Sequence, residues 1–232
     1  MPIVADRVAE VRERLAQACA RSGRRPEEVT LVAATKTRSV EELLAVVAAG
    51  VTDLGENYVQ ELQAKREAID KALPERVLWH VIGHLQRNKV KYLQPPPALI
   101  HSLDSLALAQ EIDRRAAAAG VRQAVLLEVN LGEQTKSGVP PAGILALAEA
   151  TLDLPHLDLQ GLMAMPPYSA DPEASRPHFR RLAELAGLLR TAGLPAGNLR
   201  HLSMGMSGDY EVAVEEGATL VRLGTVLFGP RT

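Results

Sequence analysis

Apolar positions open the chain on a helical period: Val4, Val8, Val11, Leu15 and Ala18 follow one another at alternating steps of four and three, which places them on one face of a helix over Ile3 to Arg21. The pattern then changes. Short β-branched or leucine-rich runs alternate with longer helical patterns, and eight such runs predict strands: Leu31 to Lys36, Val51 to Glu56, Val77 to Gly83, Leu99 to Leu103, Ala124 to Leu131, Leu159 to Met165, Leu199 to Met204 and Leu220 to Leu223.

Local chemistry sets the helix ends. Ser39 with Glu42 forms a capping box, Asp104 or Ser105 caps the next long helix, and Asp171-Pro172 supplies a cap and a first-turn proline. Gly50, Gly120, Gly193 and Gly217 follow helical stretches, where a left-handed residue commonly closes the last turn. Eight strand-helix alternations favour a closed (β/α)8 TIM barrel, preceded by an extra N-terminal helix, over the open doubly wound sheet that is the alternative. No linker or compositional break divides the sequence, and Pro95-Pro96-Pro97 reads as a loop, so the expectation is one domain over residues 1–232.

Composition narrows the partners. The net charge of -2 and the single short basic run, Arg87 to Lys91, argue against nucleic acid. One cysteine, Cys19, excludes an internal disulfide framework, and no secretory leader pattern opens the chain, which predicts a cytoplasmic protein. No apolar run approaches the roughly 20 residues needed to cross a bilayer.

On a barrel of this kind the active site lies where strands end and the following loops begin. Polar residues fall at those places: Lys36 after the first strand, Glu56-Asn57-Tyr58, His84, Asp104 and Asn130 after the next four, Ser203 to Gly208 after the seventh, and Arg222 to Thr225 at the eighth. Loops after strands seven and eight often hold phosphate. Here they are glycine-rich, with Gly205 and Gly208 allowing close approach of an anion, Ser207 suited to cap the helix beginning nearby, and Thr225 adding a hydroxyl. A partly desolvated lysine at a strand mouth favours the neutral amine that forms Schiff bases. Lysine and phosphate site together point to pyridoxal phosphate. Lys136, in a turn-rich loop after strand five, is the rival lysine.

His80 and His84 stand four apart on a predicted strand, about 13 Å by strand rise, too far to share a metal. No Cys/His cluster and no Gly-x-Ser-x-Gly elbow replaces them, so neither a metal centre nor a serine nucleophile is expected.

Several motifs, in order and nearly end to end, carry a resemblance: Ala34-Thr35-Lys36-Thr37, Gly55-Glu56-Asn57-Tyr58-Val59-Gln60-Glu61, Trp79-His80-Val81-Ile82-Gly83 with Leu85-Gln86-x-Asn88-Lys89, Lys136-Ser137-Gly138, Gly161-Leu162-Met163-Ala164-Met165, Met204-Gly205-Met206-Ser207, and Val221-Arg222-Leu223-Gly224-Thr225. The chain resembles the pyridoxal phosphate homeostasis proteins, relatives of the N-terminal barrel of alanine racemase. His84 and Met204 depart from the proline and leucine usual in that family. The resemblance implies that Lys36 carries pyridoxal 5'-phosphate as a Schiff base, that Ser203, Gly205, Gly224 and Thr225 hold its phosphate, that Arg222 faces its pyridine nitrogen, and that Asn57 lies near the ring.

Arginine donates to that nitrogen without leaving it protonated, which makes the ring a poor electron sink and disfavours transamination or β-elimination. In racemase-like relatives a tyrosine from a second domain supplies the opposing base. Residue 232 follows strand eight closely, so that domain is expected to be absent, and a monomer is favoured. The implied function is a non-catalytic holder of the cofactor, buffering it or delivering it to apo forms of pyridoxal-dependent enzymes. The alternative is a single-domain amino-acid racemase using Tyr58 or a histidine as second base.

Overall fold

The computed structural model describes residues 3–73, 77–132 and 137–230. Eight parallel strands close in sequence order into a barrel: β1 (Thr30–Ala34), β2 (Asp53–Glu56), β3 (Leu78–Val81), β4 (Leu99–Leu103), β5 (Gln123–Val129), β6 (Leu157–Ala164), β7 (His201–Ser203) and β8 (Leu220–Leu223). The helices are α1 (Val4–Arg21), α2 (Val40–Ala48), α3 (Val59–Ala72), α4 (Leu106–Ala119), α5 (Ile144–Leu152), α6 (Arg176–Thr191), α7 (Tyr210–Glu215) and α8 (Thr225–Phe228). All eight predicted runs are strands, and those at Leu99 and Leu220 agree at both ends. The TIM-barrel expectation therefore holds, with α1 as the extra N-terminal helix. The β3-β4 crossover is the exception to strand-helix alternation: it holds only a 3-10 segment, Arg87–Tyr92. Three consecutive prolines at 95–97, which lack N–H donors, follow that segment and bar any helix from running on into β4.

Successive strand side chains point to opposite faces, and the sequence sorts them into two cores. One parity, including Val32, Ile82, Leu99, Leu126, Met163 and Leu220, packs inside the barrel. The other, including Ala33, Leu54, Trp79, Ile100, Leu127 and Val221, meets the surrounding helices in the main core. On α1 the buried residues include Val8, Val11, Leu15 and Ala18, the predicted face, and the helix packs against α7 and α8.

The caps follow the sequence. Ser39 Oγ accepts the Glu42 N–H at 3.3 Å while Glu42 Oε2 accepts the Ser39 N–H at 2.8 Å. Of the two candidates before α4, Ser105 is the cap, accepting from Leu108 N at 3.4 Å. Gly120, the C-cap of α4, takes φ +67, a left-handed conformation that glycine adopts without steric cost.

Candidate functional site

The inward parity of the strands turns polar toward their ends. It reaches His80 on β3, His101 on β4, Glu128 on β5 and Arg222 on β8, and on β1 it continues past Ala34 to Lys36, two residues beyond the last strand residue. At this end of the barrel is a cavity of about 370 Å³ whose walls include Lys36, Arg38, Tyr168, Ser207, Gly208, Arg222, Gly224 and Thr225. Four of the expected site residues, Lys36, Arg222, Gly224 and Thr225, thus meet in one place.

The backbone on both sides of Lys36 is anchored by a buried ionic cluster. Lys65 of α3 donates from Nζ to Thr35 O at 2.7 Å, to Glu56 Oε1 at 2.6 Å and to Glu61 Oε2 at 3.0 Å. Thr35 Oγ1 donates to the same Glu56 oxygen at 2.6 Å, and the Thr37 N–H donates to Glu61 Oε2 at 3.1 Å. Thr37 sits at φ +62, an uncommon conformation for a β-branched residue. Burial pushes the Glu56 carboxyl above its ordinary range, against the opposing pull of Lys65 and Thr35. The half-buried Lys36 is thereby held between two fixed peptide groups.

Arg222 is buried to 4% exposure. Its Nη1 donates to Ser203 Oγ at 2.5 Å and its Nη2 to Ala164 O at 3.1 Å. Desolvation takes its guanidinium down to about 10, so it stays charged at neutral pH. Ser203, expected at a phosphate, is fully buried and is not part of the cavity wall; its hydroxyl meets Arg222 and, at 2.8 Å, His101 Nδ1. Gly205 likewise stands behind the wall. Its φ is +93, and a Cβ there would lie 2.6 Å from Ala213 Cβ, so the close approach it permits is that of α7.

The loop after β7 presents Ser207 and Gly208 instead. Ser207 Oγ accepts the N–H groups of Gly224 at 3.2 Å and Val226 at 3.3 Å, which ties this loop to the start of α8 rather than to α7, the helix that follows it in sequence. Asp209 Oδ1 accepts the Met206 N–H at 2.7 Å and fixes the other side of the turn. No atom stands within 4 Å of where a Gly208 Cβ would be. Arg38 adds a second cation, aligned by Glu42 at 3.1 Å and by Gly229 O at 2.6 Å. A hydroxyl, glycine backbone and the Arg38 guanidinium facing one cavity fit a phosphate, Arg222 on the same wall offers a donor, and the lysine amine fits an aldehyde.

Asn57 falls outside this cavity. With Tyr58, His84 and Lys89 it lines a neighbouring groove of about 400 Å³, where its backbone crowds Gly83 so closely that a Cβ on that glycine would sit 2.7 Å from Asn57 Cα. Lys136 lies outside the described residues. His80 is buried, with Nε2 3.0 Å from Asp53 Oδ1 and Nδ1 2.9 Å from His101 Nε2, whereas His84 meets Asp104 at 3.3 Å. Among the described residues, His84, Asp104 and Glu128 place one donor atom each within 4.8 Å of one another, a grouping that comes from three strand ends and has no sequence spacing to announce it. Burial pushes the Glu128 carboxyl upward, against the hydrogen bond that Ser137 Oγ donates to it at 2.7 Å.

Arg38, Lys65, Glu61, Tyr168 and the hydroxyl of Ser207 as a link to α8 were not expected at the site. Arg38 carried a signal, two residues after Lys36 and four before Glu42 on the capped start of α2. Glu61 and Lys65 stand four apart on α3, the spacing of a helical ion pair, and tertiary packing brings that pair and Tyr168 to the site.

Barrel, strand-end lysine and paired glycine loops together define a protein of the alanine racemase N-terminal domain class, and that family matches residues 8–232. Relatives of similar length are more specific. A protein of Aquifex aeolicus is 48% identical over 97% of this chain and 97% of its own, one of Pseudomonas aeruginosa is 42% identical over 100% and 97%, and both are named pyridoxal phosphate homeostasis protein. The structure of PipY from Synechococcus elongatus, solved with PLP bound, superposes with a TM-score of 0.85 at 33% identity, covering 97% of this chain and 100% of that one. The chain belongs to the pyridoxal phosphate homeostasis protein family.

Proposed function

We propose that this protein holds pyridoxal 5'-phosphate reversibly, as a Schiff base on Lys36, and serves the intracellular supply of the cofactor by buffering or delivering it to apo pyridoxal-dependent enzymes. The observation that carries this reading is the meeting of Lys36 with Arg222, Ser207, Gly208, Gly224 and Thr225 around one cavity. Lys36 supplies the amine, the loops after β7 and β8 take the phosphate, and Arg222 meets the ring nitrogen. Ser203 and Gly205 support those groups from behind. The cofactor would supply a carbonyl carbon that condenses with amines, with loss of water, and a ring that withdraws electrons when its nitrogen is protonated. Arg222, charged and donating only, provides no proton acceptor there and keeps that withdrawal weak. The naming of the curated relatives for homeostasis agrees with a holding role.

The racemase alternative needs a second base across the cavity from Lys36. Tyr58 lines the neighbouring groove, and His80 and His101 are buried in the barrel interior. Tyr168, 89% exposed and on the cavity wall, is the residue that reading would have to use.

Absorbance spectra of the purified protein with added pyridoxal phosphate, before and after Lys36→Ala, test the site when combined with borohydride trapping and peptide mapping. An adduct on Lys36 is expected. No visible band, or an adduct on Lys136 alone, overturns the assignment. Stereoinversion of amino acids with solvent deuterium exchange at the α-carbon, at enzyme-like rates and abolished by Tyr168→Phe, would replace the holding role with racemisation.

A further inference from the structure

Five side chains from five strands form an unbroken polar line through the barrel interior. Asp53, the first residue of β2, lies 3.0 Å from His80 Nε2, and His80 Nδ1 lies 2.9 Å from His101 Nε2. His101 Nδ1 is 2.8 Å from Ser203 Oγ, which in turn is 2.5 Å from Arg222 Nη1. His80, His101, Ser203 and Arg222 are all buried to 4% exposure or less. A line of this kind in an apolar interior is costly unless every contact is a hydrogen bond.

The two ends fix its direction. Arginine only donates and a carboxylate only accepts. With both imidazoles neutral, one arrangement uses every contact: Arg222 donates to Ser203, Ser203 to His101 Nδ1, His101 Nε2 to His80 Nδ1, and His80 Nε2 to Asp53. The opposite direction would require His80 to be doubly protonated and would leave the Ser203 hydroxyl proton facing only Arg222. Burial, then the neighbouring His80 and Arg222, hold His101 well below the ordinary imidazole range, in keeping with a neutral His101.

We propose that Asp53, His80 and His101 are positioning residues that act through Ser203: the chain keeps the Ser203 oxygen presented to Arg222 as an acceptor, and so fixes the guanidinium plane that faces the cavity. This rests on the reading that Arg222 meets the ring nitrogen of pyridoxal phosphate. It extends the cofactor site to Asp53, at the N-terminal end of β2, with no contact between that residue and the ligand.

Two measurements test it. Long-range ¹⁵N–¹H spectra of the protein without cofactor should show His80 and His101 both neutral and both in the Nε2–H tautomer at pH 7; a doubly protonated His80, or an Nδ1–H form of either ring, overturns the chain. Titration with pyridoxal phosphate then tests its consequence. Asp53→Leu should raise the Kd about three- to tenfold, the worth of one oriented hydrogen bond, and Asp53→Asn, which keeps an acceptor oxygen, should restore most of it. In an Arg222→Leu background, Asp53→Leu should add nothing. An undiminished effect there, or no effect in the parent, overturns the proposal even though the cofactor binds. A wild-type protein that forms no adduct instead removes the cofactor reading, and the imidazole spectra still decide whether the chain runs as drawn.

Discussion

Lys36 is useful only if its amine returns to the same place, and the nearest cause of that placement is Lys65. Its side chain is 11% exposed and its Nζ is shared by the fully buried side chain of Glu56, by Glu61 and by Thr35 O. Removing one partner of a buried ion pair leaves an uncompensated charge, at a cost of about 3–5 kcal/mol. Lys65→Met is therefore expected to destabilise the fold by about 3 kcal/mol in urea denaturation, and adding Glu56→Gln should recover part of that loss. Glu128 gives a second residue-scale expectation with a definite pH sign. Burial, the first cause, and Asp104 raise its folded carboxyl above the unfolded value. Its contribution is present at pH values below the unfolded carboxylate range and is lost as pH rises through the raised folded value. Glu128→Gln should accordingly gain stability relative to the parent at pH 8 and show a smaller gain at pH 4; thermal melts at the two pH values check it, and equal gains would reject a raised carboxyl.

At the scale of elements, the two glycine loops divide their work. Gly205 gives α7 room to seat against the loop after β7, and Ser207 fastens that loop to α8. Gly205→Ala should cost about 2–3 kcal/mol from its left-handed backbone and overpacking, seen as a lower urea midpoint with cofactor affinity changed through folding alone. Ser207→Ala, which frees two N–H groups, should cost about 1 kcal/mol, the scale of a lost helix cap, and also weaken phosphate. The strands and the cap at Ser39 were legible in the sequence, and the cap of α4 was narrowed to Asp104 or Ser105, because period and local hydrogen bonding are written within a few residues. Ser203 was not legible: the same sequence signal, a polar residue where β7 ends, serves equally for a ligand or for a partner of Arg222, and only the neighbouring His101 on β4 decides. His80 and His101 are separated by a whole crossover, so no spacing rule joins them.

For the whole molecule, barrel closure is also what assembles the proposed ligand site. β1 pairs with β8, Val32 beside Arg222 and Ala33 beside Leu223, and this seam brings Lys36 from early in the chain against Gly224 and Thr225 near its other end. A ligand bonded to Lys36 and gripped by the loops after β7 and β8 spans that seam, so it favours the closed barrel over any state in which the terminal strands separate. Binding restricted to the folded state stabilises it by about 2.7 kcal/mol at one hundred times Kd, which for a chain of this size corresponds to a rise in Tm of about 5–10 °C. Pyridoxal phosphate should produce that rise in differential scanning fluorimetry, and inorganic phosphate at equal concentration only a small part of it. Lys36→Ala should lose most of the cofactor's effect while keeping the response to phosphate. If the Lys36→Ala protein were stabilised by the cofactor as strongly as the parent, the seam would not be where it binds.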